Sequence, residues 1–247
     1  MLAKRVIPVL LQRGSTLVKG ERFDSWRGVG HARQSVKIQA ARSVDELIYL
    51  DIGATPEKRG PNYELVERLT EGIFSPITVG GGIQDINSVN RLLRAGADKV
   101  SISTAALDNP ELISEIADHF GSQALTVCID YRENKVFSHC GKEETELNPV
   151  RWAVEAVHLG AGEILLNSIE RDGMMTGYDL DMIERVADAV DVPVVACGGC
   201  RSYEDMRLAL KAGATGVAVG ALFQFTDANP RGAVLYLQEK NVEVRVP

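Results

Sequence analysis

The sequence predicts a (β/α)8 TIM barrel with an internal half-barrel duplication. Two glycine-rich stretches carry this prediction, residues 79–83 (VGGGI) and 196–200 (ACGGC), and each follows a short β-branched run that begins with proline. A shift of 117 residues relates them, since Pro76 and Gly81 map onto Pro193 and Gly198. A repeat at a fixed offset indicates a duplicated structural unit.

The same offset relates two further pairs of segments. Residues 95–97 (AGA) map onto 212–214, and 46–48 (ELI) map onto 163–165 (EIL). These matches predict half-barrels of about 1–120 and 121–247, each with four strand–helix units. Eight such units in 247 residues is the size of a (β/α)8 barrel, for which about 250 residues is typical. We therefore expect one barrel domain over 1–247.

In the first half of the chain, the strand at 5–11 is a continuous apolar run, as in a buried parallel strand. Residues 12–30 are glycine-punctuated and much longer than a usual βα loop, which favours a functional lid over a solvated surface loop. Further strands are expected at 46–52, before the first glycine turn, and at 99–103. Helices are expected at 31–42, 61–72, 85–96 and after Pro110.

Capping residues justify these helix ends. Pro61 suits a first helical turn, Asp85 is a predicted N-cap, and Gly96 is a typical helix end.

In the second half, strands are expected at 123–130, 163–168, before the second glycine turn, and at 216–220. Helices are expected at 149–160, 180–190, in a segment ending at Gly213, and at 230–240. Residues 131–148 predict a hairpin-like excursion with a short strand at 135–137. Strands alternate with helices throughout, which is typical of parallel α/β proteins.

Composition and charge exclude several functions. The chain has 45% hydrophobic and 25% charged residues, as globular proteins do. A net charge of −7 and a pI of about 5.2 argue against a nucleic-acid partner. The sequence has no signal-peptide pattern and no apolar run of the roughly 18 residues that a membrane span needs, so a cytoplasmic protein without a membrane partner is expected.

The four cysteines lack the spacing of a disulfide framework, which fits a reducing compartment. Cys197 and Cys200 form a C-x-x-C pair, for which a redox or zinc role is the minor alternative. No second Cys or His pair accompanies them. We therefore predict neither a metal site nor a cofactor.

The carboxyl ends of barrel strands form the face on which active sites are built. The two glycine turns expose backbone N–H groups there, which suit phosphate, although a turn without a ligand is the alternative. Two such turns on one face would suit a ligand with a phosphate at each end.

Polar residues end several of the predicted strands, and carboxylates there suit acid–base work. Capping or salt-bridging is the alternative role for the aspartates, and Lys19 either closes over an anionic substrate or lies free on the surface. The candidates for the substrate face are Lys19, Asp51, Asp130, Asn167, Ser168 and Asp172.

Four charged residues lie at strand starts, on the opposite face: Arg5, Glu46, Lys99 and Glu163. Buried charges need partners, so alternating signs predict a closed salt-bridge ring. The ring is either a structural plug or a gate to a passage along the barrel axis.

Specific strings occur along nearly the whole chain: 1–5 (MLAKR), 7–8 (IP), 17–20 (LVKG), 45–47 (DEL), 50–52 (LDI), 78–83 (TVGGGI), 96–102 (GADKVSI), 121–123 (GSQ), 160–166 (GAGEILL) and 172–173 (DG). With these strings the chain closely resembles the HisF family, the cyclase subunits of imidazole glycerol phosphate synthase. The resemblance implies a barrel whose bottom face docks a HisH-like glutaminase, with Asp98 at the interface. Ammonia would then pass through the four-residue ring to the top face.

The resemblance also implies phosphate binding and a pair of catalytic aspartates. The phosphate-binding residues would be Gly81, Gly82, Thr104, Gly198, Gly199, Gly220 and Ala221. One catalytic aspartate is Asp130, but the position of the other holds Leu11. The half-repeat has the same asymmetry, since a shift of 119 takes Leu11 to Asp130. Leucine cannot move a proton, and losing one of an acid–base pair typically costs a factor of about 10² to 10⁴.

Further departures from the family pattern surround the reacting centre: Val9, Gly53, Ser103, Asn167 and Cys197. This pattern resembles a WbuZ-type branch, which is associated with amidation of N-acetyl sugars in surface polysaccharides or flagellar glycans. In that branch the barrel and a HisH-like glutaminase supply ammonia to a separate ATP-using amidotransferase.

Three functions follow from these observations. The first is an ammonia-channelling subunit that serves amidation of an acetamido to an acetamidino group. The alternative is a working cyclase in histidine biosynthesis, and a phosphosugar isomerase is the third. Leu11 argues against the second and third, whereas the intact ring favours the first two.

Overall fold

The computed structural model describes residues 3–42 and 44–244. Met1, Leu2 and Ser43, and the last three positions of the predicted second half-barrel, lie outside these residues. Twelve strands lie within the described ranges: β1 (Arg5–Arg13), β2 (Thr16–Glu21), β3 (Asp24–Gly30), β4 (Leu47–Asp51), β5 (Ile77–Gly80), β6 (Lys99–Ile102), β7 (Leu125–Arg132), β8 (Lys135–Ser138), β9 (Glu143–Glu144), β10 (Glu163–Ser168), β11 (Val194–Cys197) and β12 (Gly216–Val219).

Eight of these strands close a parallel barrel, in the order β1–β4–β5–β6–β7–β10–β11–β12. The barrel closes because β12 pairs with β1, with Arg5 opposite Gly216. The two halves also meet at the β6–β7 pair, with Val100 opposite Leu125. Within the second half, the β7–β10 pair aligns Asn167 with Asp130. The predicted (β/α)8 barrel is confirmed.

Helices surround the barrel: α1 (Ala32–Ala40), α2 (Tyr63–Thr70), α3 (Ile86–Arg94), α4 (Thr104–Asp108), α5 (Glu111–Phe120), α6 (Pro149–His158), α7 (Leu180–Ala187), α8 (Tyr203–Lys211), α9 (Ala221–Phe225) and α10 (Pro230–Glu239). The eight longer helices match predicted ones. The five-residue helices α4 and α9 were not predicted, because they are too short to show an apolar period. No helix among the described residues is long and apolar enough to cross a membrane.

Matching N-caps begin corresponding helices in the two halves. Asn62 caps α2 and Asp179 caps α7, while Asp85 caps α3 and Ser202 caps α8. Each pair is separated by 117 residues, so the offset of the glycine turns extends to the caps. Asp85 was predicted correctly. Pro61 instead precedes the cap of its helix rather than lying in the first turn.

Residues 12–30 are not the loop that was expected. Strand β1 continues to Arg13, and β2 and β3 form an antiparallel ribbon that folds back beside it, with Leu11 opposite Val18. These two strands were not predicted, because the segment is rich in polar and charged residues. Gly20 permits the tight ribbon, because a Cβ there would collide with the Asp24 carbonyl oxygen.

Two apolar clusters hold the fold together. The larger lies between the barrel and the helices. The smaller fills the barrel interior with Ile7, Val9, Leu11, Val18, Ile48, Cys128, Leu165, Val195 and Ala218.

Each glycine turn packs closely against the carboxyl end of a neighbouring barrel strand. The first turn contacts the end of β4, and the second contacts the end of β10. Gly81 has a φ of +103°, and a Cβ on it would collide with the carbonyl oxygen of Asp51. Gly198 has a φ of +87°, and its Cβ would lie 2.6 Å from the carbonyl oxygen of Ser168. Both the dihedral angle and the close approach therefore require glycine.

We expect Gly81→Ala to lower the Tm more than Gly72→Ala. Gly72 also has a positive φ of +74°, but no atom lies within 4 Å of its would-be Cβ. Gly72→Ala should therefore show the conformational strain alone, about 1 kcal/mol or about 2–4 °C. Gly81→Ala adds the collision with Asp51 and should cost about twice as much or more. Equal shifts in thermal unfolding would show that the close approach is unimportant.

Candidate functional site

A cavity of about 280 Å³ opens at the carboxyl ends of the barrel strands. It brings together all the residues that the sequence placed on this face except Ser168. Its lining includes the seven residues predicted to bind phosphate, namely Gly81, Gly82, Thr104, Gly198, Gly199, Gly220 and Ala221, together with Leu11, Lys19, Asp51, Asp130, Asn167 and Asp172. We call this cavity the mouth.

Asp130, on β7, lies on the floor of the mouth with three hydrogen-bond donors. Asn167 Nδ2 donates to Oδ1 at 2.9 Å and Ser103 Oγ donates to Oδ2 at 3.1 Å, while Cys128 Sγ lies 3.5 Å from Oδ1. Burial raises the pKa of Asp130, and the three donors offset only part of that rise. Asp130 therefore holds a proton more readily than a surface aspartate, as a general acid–base group requires.

Leu11, on β1, lies in the apolar part of the mouth. It is 7% exposed and belongs to the same interior cluster as Val9 and Cys128. Trp26, from the β2–β3 ribbon, and Leu50 pack against this cluster. This wall of the mouth offers no group that can carry a proton at the position of Leu11.

Asp51 is held by Arg59. The guanidinium donates to both carboxylate oxygens, at 2.7 and 2.9 Å, and the Gly53 N–H donates to Oδ1 at 3.2 Å. The salt-bridging alternative therefore describes Asp51. Arg59 was not predicted as a site residue, because its only signal in the sequence is a cation in the loop that follows β4.

Lys19 is buried rather than free on the surface. Its Nζ lies 2.9 Å from Asp172 Oδ1, and the side chain is only 4% exposed. The N–H of Arg22 also bonds the Asp172 carbonyl oxygen at 2.8 Å, so the ribbon is attached to the 168–172 loop. The Lys19 amine lies at the carboxyl end of β12, 2.9 Å from the would-be Cβ of Gly220.

Four free cysteines line the mouth: Cys128, Cys140, Cys197 and Cys200. Burial raises the pKa of Cys140 to about 11 and those of Cys197 and Cys200 to about 12. These thiols are therefore protonated at neutral pH, which does not suit nucleophilic or redox chemistry. Within residues 3–42 and 44–244, no group of three His, Cys, Asp or Glu side chains is arranged to hold a metal.

At the opposite end of the barrel, the four charged residues form the closed ring that the sequence predicted. Arg5 contacts Glu46 at 2.8 Å and Glu163 at 2.6 Å, and Lys99 contacts the same two carboxylates at 2.8 and 3.0 Å. Burial alone would raise the pKa of Glu163, but the two cations outweigh it and lower that pKa. A plug and a gate both remain compatible with this closed arrangement.

Two exposed residues lie just before barrel strands, at the end of the barrel that holds the ring. Phe74, in the loop before β5, is 99% exposed. Asp98, directly before β6, is also exposed, and its Oδ2 accepts a hydrogen bond from the Ile77 N–H at 2.8 Å.

The chain is similar in sequence to known proteins over nearly its whole length. The family model described as "Histidine biosynthesis protein" matches residues 5–229. The chain is 42% identical over 251 positions to imidazole glycerol phosphate synthase subunit HisF of Dictyoglomus thermophilum, covering 100% of both chains. It is 41% identical to the subunits of the same name from Myxococcus xanthus and Thermobifida fusca, covering 99% of each chain.

We expect Ser103→Ala to raise the pKa of Asp130 further. The substitution removes one donor that stabilises the ionised carboxylate. The measurement is an NMR titration of the Asp130 carboxyl carbon. Ser103→Thr keeps a hydroxyl and should leave the pKa near its wild-type value. A lower pKa in Ser103→Ala would contradict this account of the site.

We expect the stabilising effect of Glu163 to vanish in acid. Its pKa in the folded protein lies below the ordinary 4.5, so its ionised form contributes stability above pH 4.5. That contribution is lost as the pH falls through the folded-state pKa. Removing one partner of a buried ion pair costs about 3 kcal/mol, so Glu163→Gln should lower the unfolding free energy by about this amount at pH 7. The difference from wild type, measured by urea unfolding, should shrink below pH 4.5; a difference independent of pH would refute the assignment.

Proposed function

The chain belongs to the HisF family of histidine biosynthesis proteins, and on that premise we propose that it is the cyclase subunit of imidazole glycerol phosphate synthase. It would take ammonia from a HisH-like glutaminase. With that ammonia it would convert a bis-phosphorylated aminoimidazole precursor into imidazole glycerol phosphate and AICAR. The observation that carries this proposal is the presence of two equivalent glycine turns in one mouth.

The two turns suit a ligand with two phosphates. Strands β5 and β11, which precede them, are four places apart in the eight-stranded barrel, so the turns lie on opposite sides of the mouth. Gly81 and Gly82 have positive φ angles on one side, as do Gly198 and Gly199 on the other. Exposed N–H groups in such turns bind phosphate. A substrate held at both ends would therefore cross the floor that holds Asp130.

The barrel interior suits the passage of neutral ammonia. Between the charged ring and the mouth, the interior is filled mainly with apolar side chains such as Ile7, Ile48 and Val195. An ammonium ion would lose its hydration there at high cost, whereas neutral ammonia would not. In this proposal the ring acts as a gate, and Arg5 or Lys99 moves to open it.

The bottom face suits a protein partner. Phe74 exposes almost its whole side chain there, and buried aromatic anchors commonly dominate the binding energy of protein interfaces. Asp98 adds an exposed carboxylate on the same face. We propose that a HisH-like glutaminase docks onto these residues and covers the entrance that the ring closes.

Asp130 would carry the proton transfers. Burial raises its pKa, as suits a group that both gives and takes a proton. Asp51 forms an ion pair with Arg59, and Asp172 forms one with Lys19. Neither carboxylate therefore replaces the aspartate that is missing at position 11. We therefore expect cyclisation to be slower than with a pair of aspartates, by a factor of about 10² to 10⁴.

Leu11 favours a second candidate function. In this alternative, the barrel and the glutaminase supply ammonia to a separate ATP-using amidotransferase, which converts an acetamido group of an activated sugar into an acetamidino group. The barrel itself would then need no acid–base pair. The apolar contacts of Leu11 with the barrel interior are compatible with such a conduit.

The test is turnover of the bis-phosphorylated ribulosyl aminoimidazole carboxamide by the purified chain at high free ammonia. We expect slow formation of imidazole glycerol phosphate, and abolition of that activity by Asp130→Asn. Addition of a HisH-like glutaminase and glutamine should replace free ammonia.

Leu11→Asp distinguishes the two candidates in the same assay. If the wild type is a slow cyclase, restoring the carboxylate should raise its rate by about 10² to 10⁴. Turnover by Leu11→Asp alone would favour the ammonia-conducting alternative. No turnover by either protein would contradict the cyclase proposal.

A further inference from the structure

We propose that Asn167 is a specificity-determining residue that recognises the middle of the substrate. Its carbonyl oxygen accepts a hydrogen bond from an O–H or N–H group between the two phosphates, while its amide nitrogen positions Asp130. This inference rests on the proposed two-phosphate ligand and adds to it the chemistry of the central section.

Asn167 has one satisfied end and one unsatisfied end. Its side chain is 7% exposed, and Nδ2 donates to Asp130 Oδ1 at 2.9 Å. When Asp130 is ionised it can only accept a hydrogen bond, so in that form the amide nitrogen is the end of Asn167 that faces it. The other end, Oδ1, is fully buried and has no hydrogen-bond partner. A buried acceptor without a partner is costly, so a ligand that supplies a donor there gains affinity.

Asn167 lies between Asp130 and the second glycine turn. Asn167 lines the mouth, and its Oδ1 lies 3.2 Å from the would-be Cβ of Gly198, in the second glycine turn. The second glycine turn covers this oxygen in the structure. In the proposal, a small shift of the turn as it binds phosphate uncovers the Asn167 oxygen for the adjacent part of the ligand.

A second unsatisfied acceptor follows on the same segment. Asp172 bonds Lys19 through Oδ1, but its buried Oδ2 has no partner. The wall around Leu11 and Val9, on β1, is apolar. The mouth is therefore one-sided, and a substrate would turn its hydroxyl or amino groups towards β10 and its apolar edge towards β1.

The experiment compares two probes with equal numbers of carbons and phosphates. Sorbitol 1,6-bisphosphate carries hydroxyl donors between its phosphates, whereas hexane-1,6-diol bisphosphate carries none. Calorimetry gives the ratio of their Kd values for the wild type, Asn167→Leu and Ser103→Ala. Inorganic phosphate serves as a reference for the glycine turns.

We expect Asn167→Leu to reduce the preference for the hydroxylated probe about tenfold, the effect of one hydrogen bond to a buried acceptor. Ser103→Ala is the comparison variant, because it also removes a donor to Asp130 and a hydroxyl from the mouth but leaves the Asn167 oxygen in place. It should change the ratio less than Asn167→Leu does. Both variants should raise the pKa of Asp130, which reports the positioning role separately. Asn167→Ala removes the same oxygen with less bulk and should repeat the result if Asn167→Leu does not fold.

Two results would overturn the proposal, and they differ in what else they affect. If the Kd ratio is the same in Asn167→Leu or Asn167→Ala as in wild type, Asn167 does not recognise the ligand. Tight binding of both bisphosphates would then leave the proposed two-phosphate substrate intact. If the wild type binds neither bisphosphate nor inorganic phosphate, this inference and the proposed function fall together.

Discussion

Closure of the parallel barrel is the constraint on which the rest of this structure depends. Because β12 pairs with β1, every parallel strand runs in one direction around a closed cylinder, and all the carboxyl ends meet at one rim. Residues that are more than a hundred positions apart in the chain thereby share one small mouth. The turns at Gly81 and Gly198 face a common cavity for this reason rather than through any direct contact.

The two ends of the barrel use buried charge differently. At the bottom, each carboxylate of the ring contacts both cations, so the charges compensate one another within the protein. At the top, Asp130 has neutral donors but no cation among its hydrogen-bond partners, and its pKa rises. The bottom, where the charges are paired, suits a stable closure of the barrel. The top, where the Asp130 carboxylate has no cation as a hydrogen-bond partner, suits proton transfer.

The mouth combines retained and altered features in a way that bears on function. Its glycine turns and the ring below it are intact, whereas the floor has an apolar wall at Leu11 and a polar wall at Asp130 and Asn167. Both candidate functions use the barrel to supply ammonia. They differ in where the ammonia would react: at the floor that holds Asp130 in the cyclase, or in a separate amidotransferase in the alternative.

The sequence by itself determined the barrel, the glycine turns and the membership of the charged ring. Periodic apolar runs, caps such as Asp85 and glycines at a fixed offset are local signals, and local backbone preferences express them directly. Only the tertiary structure decided which partner each mouth residue has. That Arg59 holds Asp51, and that Lys19 is buried against Asp172, depends on side chains from loops that the barrel brings together. The β2–β3 ribbon escaped prediction because its strands are stabilised by pairing with β1 and with each other, not by a local apolar pattern.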